Sequence, residues 1–175
     1  LITGLLAATD DGTNVANYGG ITRDTSEVGT SVKSNYDGTG GVISHTLLGT
    51  QYGKAIIGNE KPDLLITTQT IWDALEARSQ PQQRYGSEDM VKAGFDVFRF
   101  RSADVVVDSH CPSGYIFGLN TDYLKLVLHK DRVPAEFTGW KQTANQDVRI
   151  GQLLMMAEMV CSSPRLQFQM RNVTA

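Results

Sequence analysis

The sequence is poor in the residues that build metal centres and disulfide frameworks. Its 175 residues include two cysteines, Cys111 and Cys161, and three histidines, His45, His110 and His129. One cysteine pair is no framework for a chain this long, which typically buries about 68–70% of its unfolded surface without cross-links. Two separate, partly buried thiols are therefore expected, with a single disulfide as the other reading. A structural zinc site wants four Cys or His ligands at short spacing, and neither a CxxC nor an HxxxH pair occurs. No apolar run reaches the ~20 residues of a membrane helix, and no signal-peptide pattern is visible. Basic charge is not in excess either. Sixteen Lys and Arg against nineteen Asp and Glu give a net charge of −3, whereas binding a phosphate backbone needs a dense basic surface. Lys125, Lys130 and Arg132 are the nearest approach to one, and Asp122 and Asp131 interrupt them, so they read as a solvated face.

What is present is an ordinary globular composition: 41% hydrophobic and 20% charged residues, with aromatics spread along the chain. One domain, or one domain and a small lobe, fits the length. The opening Leu1-Ile2-Thr3-Gly4-Leu5-Leu6 reads as the middle of a strand, and hence as the interior of a longer chain. Residues 7–41 are crowded with Gly, Asp, Asn, Thr and Ser, the turn formers, and read as an irregular extended stretch with one or two short strands. Between 42 and 57, Ile43, Leu47, Leu48, Tyr52, Ala55 and Ile56 recur at spacings of three and four. That pattern predicts a helix capped by Ser44 and ended by Gly58-Asn59. Leu64–Thr68 reads as a buried strand. A second helix is expected from about Thr70 to Arg78, with Ile71, Trp72 and Leu75 inward, Thr70 and Asp73 as a weak capping box, and Pro81 as its stop.

A polar loop follows over 79–94. Strands are then expected around Phe95–Phe100, Val105–Val107, Tyr115–Leu119 and Tyr123–Leu128, with turns at Cys111–Gly114 and Asn120–Asp122. Ile150, Leu153, Leu154 and Met156 suit a helix, but the turn at Cys161–Pro164 and the alternation of Leu166, Phe168 and Met170 favour a hairpin of two long strands. Few helices with mostly non-sequential strands make an α+β fold.

Chemistry has few footholds. Asp108, His110 and Cys111 are close in sequence, but neighbouring residues on a strand point to opposite faces, so the imidazole does not activate the thiol. Gly38–Gly41 lacks the Lys-Ser or Lys-Thr of a phosphate loop and reads as a flexible lead into a helix. No GxSxG elbow occurs. Asn172-Val173-Thr174 is a glycosylation sequon in form only.

Several blocks resemble the major capsid (coat) proteins of tailed phages. They are Gly19–Arg23; Lys61–Thr68 with Trp72 and Gln82–Tyr85 after it; Cys111–Leu126, which contains Leu119-Asn120-Thr121-Asp122; and Gln146-Asp147 with Ile150–Leu153 and Val160–Arg165. The resemblance covers most of the chain in scattered pieces. It implies a Hong-Kong-97-type coat fold: an axial domain plus part of the peripheral domain. Residues 1–41 would be an extended lead-in shared with the peripheral domain, 42–130 the axial domain, and 131–175 a C-terminal β-hairpin returning to the peripheral domain. It further implies a structural, non-enzymatic subunit that self-assembles into pentamers and hexamers around a genome, without metal or cofactor. Its partners would be copies of itself and scaffold or portal proteins, in the virion and, during assembly, the host cytoplasm. The 79–94 loop is the candidate subunit contact, through Gln82, Arg84, Tyr85, Glu88 and Asp89. Two other readings are a small α+β ligand-binding or enzymatic domain using Asp108, His110 and Cys111, and another virion component such as a tail protein.

Overall fold

A computed structural model describes residues 4–23, 34–79, 98–130, 136–137, 139–142, 144 and 146–175. Its centre is a six-stranded mixed sheet built from β3 (Asn35–Asp37), β5 (Leu64–Thr67), β6 (Phe98–Phe100), β7 (Ala103–Val107), β8 (Ile116–Leu119) and β15 (Phe168–Met170). The spatial order is β3-β15-β8-β5-β7-β6. Pairings β3/β15 and β5/β7 are parallel; β15/β8, β8/β5 and β7/β6 are antiparallel.

Register decides which residues meet. Leu65 lies opposite both Val105 and Gly118, Phe168 opposite Gly118, and Met170 opposite Ile116. Because side chains alternate along a strand, Leu65, Val105, Ile116, Phe168 and Met170 share one face. Two helices cover that face: α2 (His45–Lys54) and α3 (Gln69–Ser79). Leu48 and Tyr52 from α2, and Ile71, Trp72 and Leu75 from α3, complete one core with Ile43, Ala55, Phe100 and Val173. Burying each such side chain stabilises the fold by about 1.5–3 kcal/mol.

Local chemistry accounts for the helix ends. Ser44 is extended and its side chain accepts from Leu47 N–H at 3.1 Å, so it caps α2 as its position predicts. The helix stops at Lys54, and Gly58 with φ +61° forms a turn closed by the Ile57–Glu60 bridge. Ile56 therefore falls beyond the helix and is exposed, contrary to the periodicity. The expected Thr70–Asp73 box is replaced by Gln69 Nε2 donating to Asp73 Oδ1 at 2.6 Å. His45 Nε2 and Ser79 Oγ, 2.8 Å apart, tie the start of α2 to the end of α3.

Two further expectations are corrected. Leu5–Ala8 is a helical turn, α1, rather than strand: Ala8 N–H bonds Gly4 O and Thr9 N–H bonds Leu5 O. The closing hairpin also has other partners. Residues 157–161 do form a strand, β14, but it pairs with β9 (Leu124–Leu128), while β15 lies between β3 and β8. Alternation identifies a strand but not the strand beside it, and here Pro164–Leu166 is a 3-10 turn that carries the chain into the sheet instead of folding it back on β14.

The remaining short strands are β1 (Asn17–Tyr18) with β2 (Ile21–Thr22), and β4 (Gly41–Val42) with β16 (Val173–Thr174). Between β9 and β14 the ladder continues outward through β10 (Glu136–Phe137) with β13 (Leu153–Leu154), then β11 (Lys141–Gln142) with β12 (Arg149–Ile150). The described strands from Leu124 to Cys161 thus pair antiparallel in nested order, as a ribbon.

Gly118 is fixed by packing. A Cβ there would fall inside the Phe168 ring, so Gly118→Ala should destabilise the fold by about 1–3 kcal/mol through overpacking. Urea denaturation should show that loss, and Phe168→Leu in the same chain should return part of it.

Candidate assembly surface

The ribbon leaves the sheet at one place, and buried amides hold that place together. Asn120 ends β8 and caps the 3-10 turn Thr121–Tyr123, accepting from Asp122 N–H at 3.2 Å. Its Nδ2 donates to Lys61 O at 3.1 Å. Its own backbone is clasped by Gln167: Asn120 N–H donates to Gln167 Oε1 at 2.7 Å, and Gln167 Nε2 donates to Asn120 O at 3.3 Å. Thr121 bonds Asp63 through both its N–H (2.8 Å) and its hydroxyl. Tyr52 Oη donates to Pro62 O at 2.9 Å. Two of the blocks that carry the phage resemblance, Lys61–Asp63 and Leu119–Asp122, are therefore the two sides of one junction. Both amides are buried, Gln167 completely, and a buried polar group left without its partner costs about 1–3 kcal/mol.

A second clasp closes the root of the ribbon. Tyr18 Oη donates to Met159 O at 2.9 Å and accepts from Cys161 N–H at 3.0 Å. Arg23 is fully buried with its guanidinium 4.8 Å from the Tyr18 ring centroid. It donates to Asp10 O at 2.7 Å and Ala8 O at 3.3 Å, satisfying carbonyls where α1 ends. Asp10 orders the loop after α1. Burial alone would raise its carboxyl, but hydrogen bonds from the Asn14 side chain and from Val15, Asn14 and Gly12 N–H hold it below the usual value. Ala7, Ala8 and Tyr18 then pack on Leu124, Met159 and Cys161.

Beyond its root the ribbon exposes several large apolar side chains among polar ones. Leu126, Phe137, Trp140, Leu153, Met155 and Met156 are each about half exposed or more. The sequence held a signal for this. Leu153–Met156 is apolar at four successive positions, so a strand there shows hydrophobic side chains on both faces; helix-or-strand ambiguity masked it. Gln82, Arg84, Tyr85, Glu88 and Asp89, the predicted contact residues, lie outside the described residues.

The Asp108, His110 and Cys111 cluster is a turn. Asp108 Oδ1 accepts from His110 N–H at 2.8 Å, and Cys111 N–H bonds Asp108 O at 3.1 Å. The His110 side chain is 94% exposed and lies 3.4 Å from Asp108 Oδ1. The Cys111 thiol points elsewhere, within 3.7 Å of Pro112 O and Tyr115 O. Burial, and then the charge of Asp108, push that thiol up to about 11, which suppresses the nucleophilic thiolate. Cys161 is likewise raised by burial, and both cysteines are free. Among the described residues no group of His, Cys, Asp or Glu is placed to hold a metal ion, and no helix is long and apolar enough to cross a membrane.

No protein-family model matches the sequence, and no curated protein matches it. A solved structure does. The cyanophage A-1(L) capsid asymmetric unit contains a chain that superposes with a TM-score of 0.68 over 99% of this chain, at 15% identity. The fold is that of a phage capsid protein. This chain spans 60% of the cyanophage chain's length. In that capsid fold, the junction, the clasped root and the bare ribbon described above all lie within the matched region.

Two outcomes follow. Gln167→Leu should lower stability by about 1–3 kcal/mol, since Asn120 N–H and C=O lose their partners together; the denaturation midpoint reads this. Cys111 should react with a maleimide at pH 7 far more slowly in the folded protein than in denaturant. Its raised pKa also means that the folded state holds a proton the unfolded state has released above about pH 9, so Cys111 lowers stability progressively from pH 9 to about 11.

Proposed function

We propose that this chain is a structural subunit of a phage or prophage capsid, adopting a Hong-Kong-97-type coat fold and acting without catalysis. The observation that carries the reading is the capsid-protein likeness over 99% of the chain. The site geometry agrees with it. The only catalytic constellation the sequence offered is a turn with its imidazole in solvent and its thiol protonated. The surface instead presents a ribbon with several large apolar side chains exposed, a feature that marks protein–protein contact.

Within that reading, residues 42–130 form the axial domain, which carries the six-stranded sheet together with strands from the flanking segments. Residues 131–175 return toward the peripheral domain, and 1–41 are the extended lead-in. Copies of the chain associate around five-fold and six-fold axes into pentamers and hexamers that enclose the genome. Scaffold or portal proteins are further partners, met in the host cytoplasm before the subunit is locked into the virion. The 79–94 loop sets register between neighbours through Arg84, Glu88 and Asp89, because rim charges of both signs fix orientation more than they add affinity.

Cryo-electron microscopy of particles from cells producing the protein tests this. Closed shells with rings of five and six copies are expected. Stacked six-fold tubes would instead indicate a tail component, and monomers without particles would overturn the reading. Reversing charge at Arg84 and Glu88 together should reduce ring formation while leaving the unfolding midpoint in place; unchanged particle yield would remove the loop from the contact.

A further inference from the structure

One arginine stands where local preferences disfavour it. A two-residue turn, Arg101-Ser102, joins β6 to β7, since Phe100 pairs with Ala103. Arg101 has φ +56° there, a left-handed conformation that such turns normally give to Gly, Asn or Asp. Against it lies Gly49, inside α2, where glycine weakens a helix relative to alanine. A Cβ at Gly49 would come within 2.9 Å of Arg101 Nη2, its other nearest atoms being 3.6 Å away or more. Two locally unfavourable choices thus accommodate one guanidinium, and such departures collect at functional sites.

The inner side of this guanidinium rests on fixed groups. Its carbon lies 5.4 Å from the Tyr52 ring centroid and 5.6 Å from that of Phe100, two rings set edge to face 6.1 Å apart. Tyr52 is held in turn, donating to Pro62 O at 2.9 Å and lying 2.7 Å from Ser102 Oγ. On its outer side Arg101 is exposed. Nearby Arg99 pairs with Asp104 at 3.0 Å, whereas among the described residues no oxygen accepts from Arg101. The aromatic faces orient the charge but leave its N–H donors to another group.

We propose that Arg101 is a contact residue between copies of this chain, its guanidinium binding a carboxylate of the neighbouring copy. The planar donor fork fits a carboxylate through two parallel bonds. A phosphate backbone would need a dense basic surface, and the chain carries a net charge of −3. Acids to meet it are present: Glu60, Glu76 and Asp122 are exposed and, among the described residues, in no salt bridge. β6 is an edge strand of the central sheet among the described residues, so the turn stands at the sheet's margin. An arginine meeting an acid from a different place on the next copy is a heterologous contact, the kind that closes rings. The choice of a neighbouring copy rests on the capsid reading; the setting of the arginine does not.

Particle yield from cells producing the protein, read beside the unfolding midpoint, tests the contact. Arg101→Gly removes the guanidinium and relieves the turn, so yield should fall at least about tenfold while the midpoint is not lowered. Gly49→Ala should act likewise with the charge retained, because its Cβ displaces only the flexible end of Arg101 and favours the helix. In Arg101→Lys a carbodiimide should join the side-chain amine to the facing carboxylate as an amide, the carbodiimide taking up the water lost. A product of twice the chain mass on a denaturing gel is expected, and peptide mapping names the acid. A link formed within one copy, to an acid among these residues or outside them, overturns the proposal. So does unchanged yield in Arg101→Gly, or a midpoint that falls with the yield, the mark of a purely structural staple. The two readings fail separately. Shells as abundant in Arg101→Gly as in the parent remove the contact and leave the capsid assignment standing. A link between copies in a protein that never builds shells does the reverse.

Discussion

The reciprocal amide clasp between Gln167 and Asn120 is the constraint on which the rest of this structure depends. At Asn120 the chain stops being sheet and becomes ribbon, and a backbone changing direction in a buried place exposes N–H and C=O groups that nothing in the sheet satisfies. Gln167 supplies one acceptor and one donor to the same residue, and it belongs to the segment that leads into β15. One side chain thereby fixes where the ribbon departs and how the last strand enters the sheet. The Asp63–Thr121 and Asn120–Lys61 bonds extend the clasp to the start of β5, so three crossings of the chain meet at a single polar knot. In a low-dielectric interior such a network is rigid when complete and costly when any member is lost.

The root of the ribbon is held differently. A buried arginine needs its charge and its donors satisfied; among the described residues Arg23 donates to two backbone carbonyls, lies over an aromatic face and is attracted by the Asp10 carboxylate. This works because the carbonyls where α1 ends are orphaned acceptors, and the guanidinium geometry matches several acceptors at once. The sequence block Gly19–Arg23 thus earns its place mechanically: a turn brings Arg23 back beneath α1 while Tyr18 reaches across to β14.

Much of the fold was legible in the sequence. The Ser44 cap, the inward residues of both helices, the strands at 64–67, 103–107 and 116–119, and the turn at Asn120–Asp122 each depend on local periodicity or capping chemistry, which the chain carries within a few residues. Pairing was not legible. Nothing near residue 157 says that its partner is Leu128, and nothing near Phe168 says that it slots between residues 35–37 and 116–118; those choices are made by side chains far apart in the sequence, such as Phe168 filling the space that Gly118 leaves. The candidate surface was hidden for a related reason. An apolar stretch reads as core, and only the tertiary arrangement shows that Leu126, Trp140 and Leu153 stand in solvent. Cys111 stands beside His110 in sequence, yet the two side chains have different partners, and partial burial with the charge of Asp108 raises the thiol.

The position of β15 has a consequence for the order of events during synthesis. It bonds β3 on one side and β8 on the other, and both of those are made long before it. Until residues 168–170 have left the ribosome the sheet stays in two parts, one strand missing from its middle, with the Gly118 gap open and Asn120 unclasped. A chain interrupted at any earlier point therefore lacks the piece that orients its ribbon. Truncated copies would lack the strand that joins β3 to β8 and the side chain that closes over Asn120.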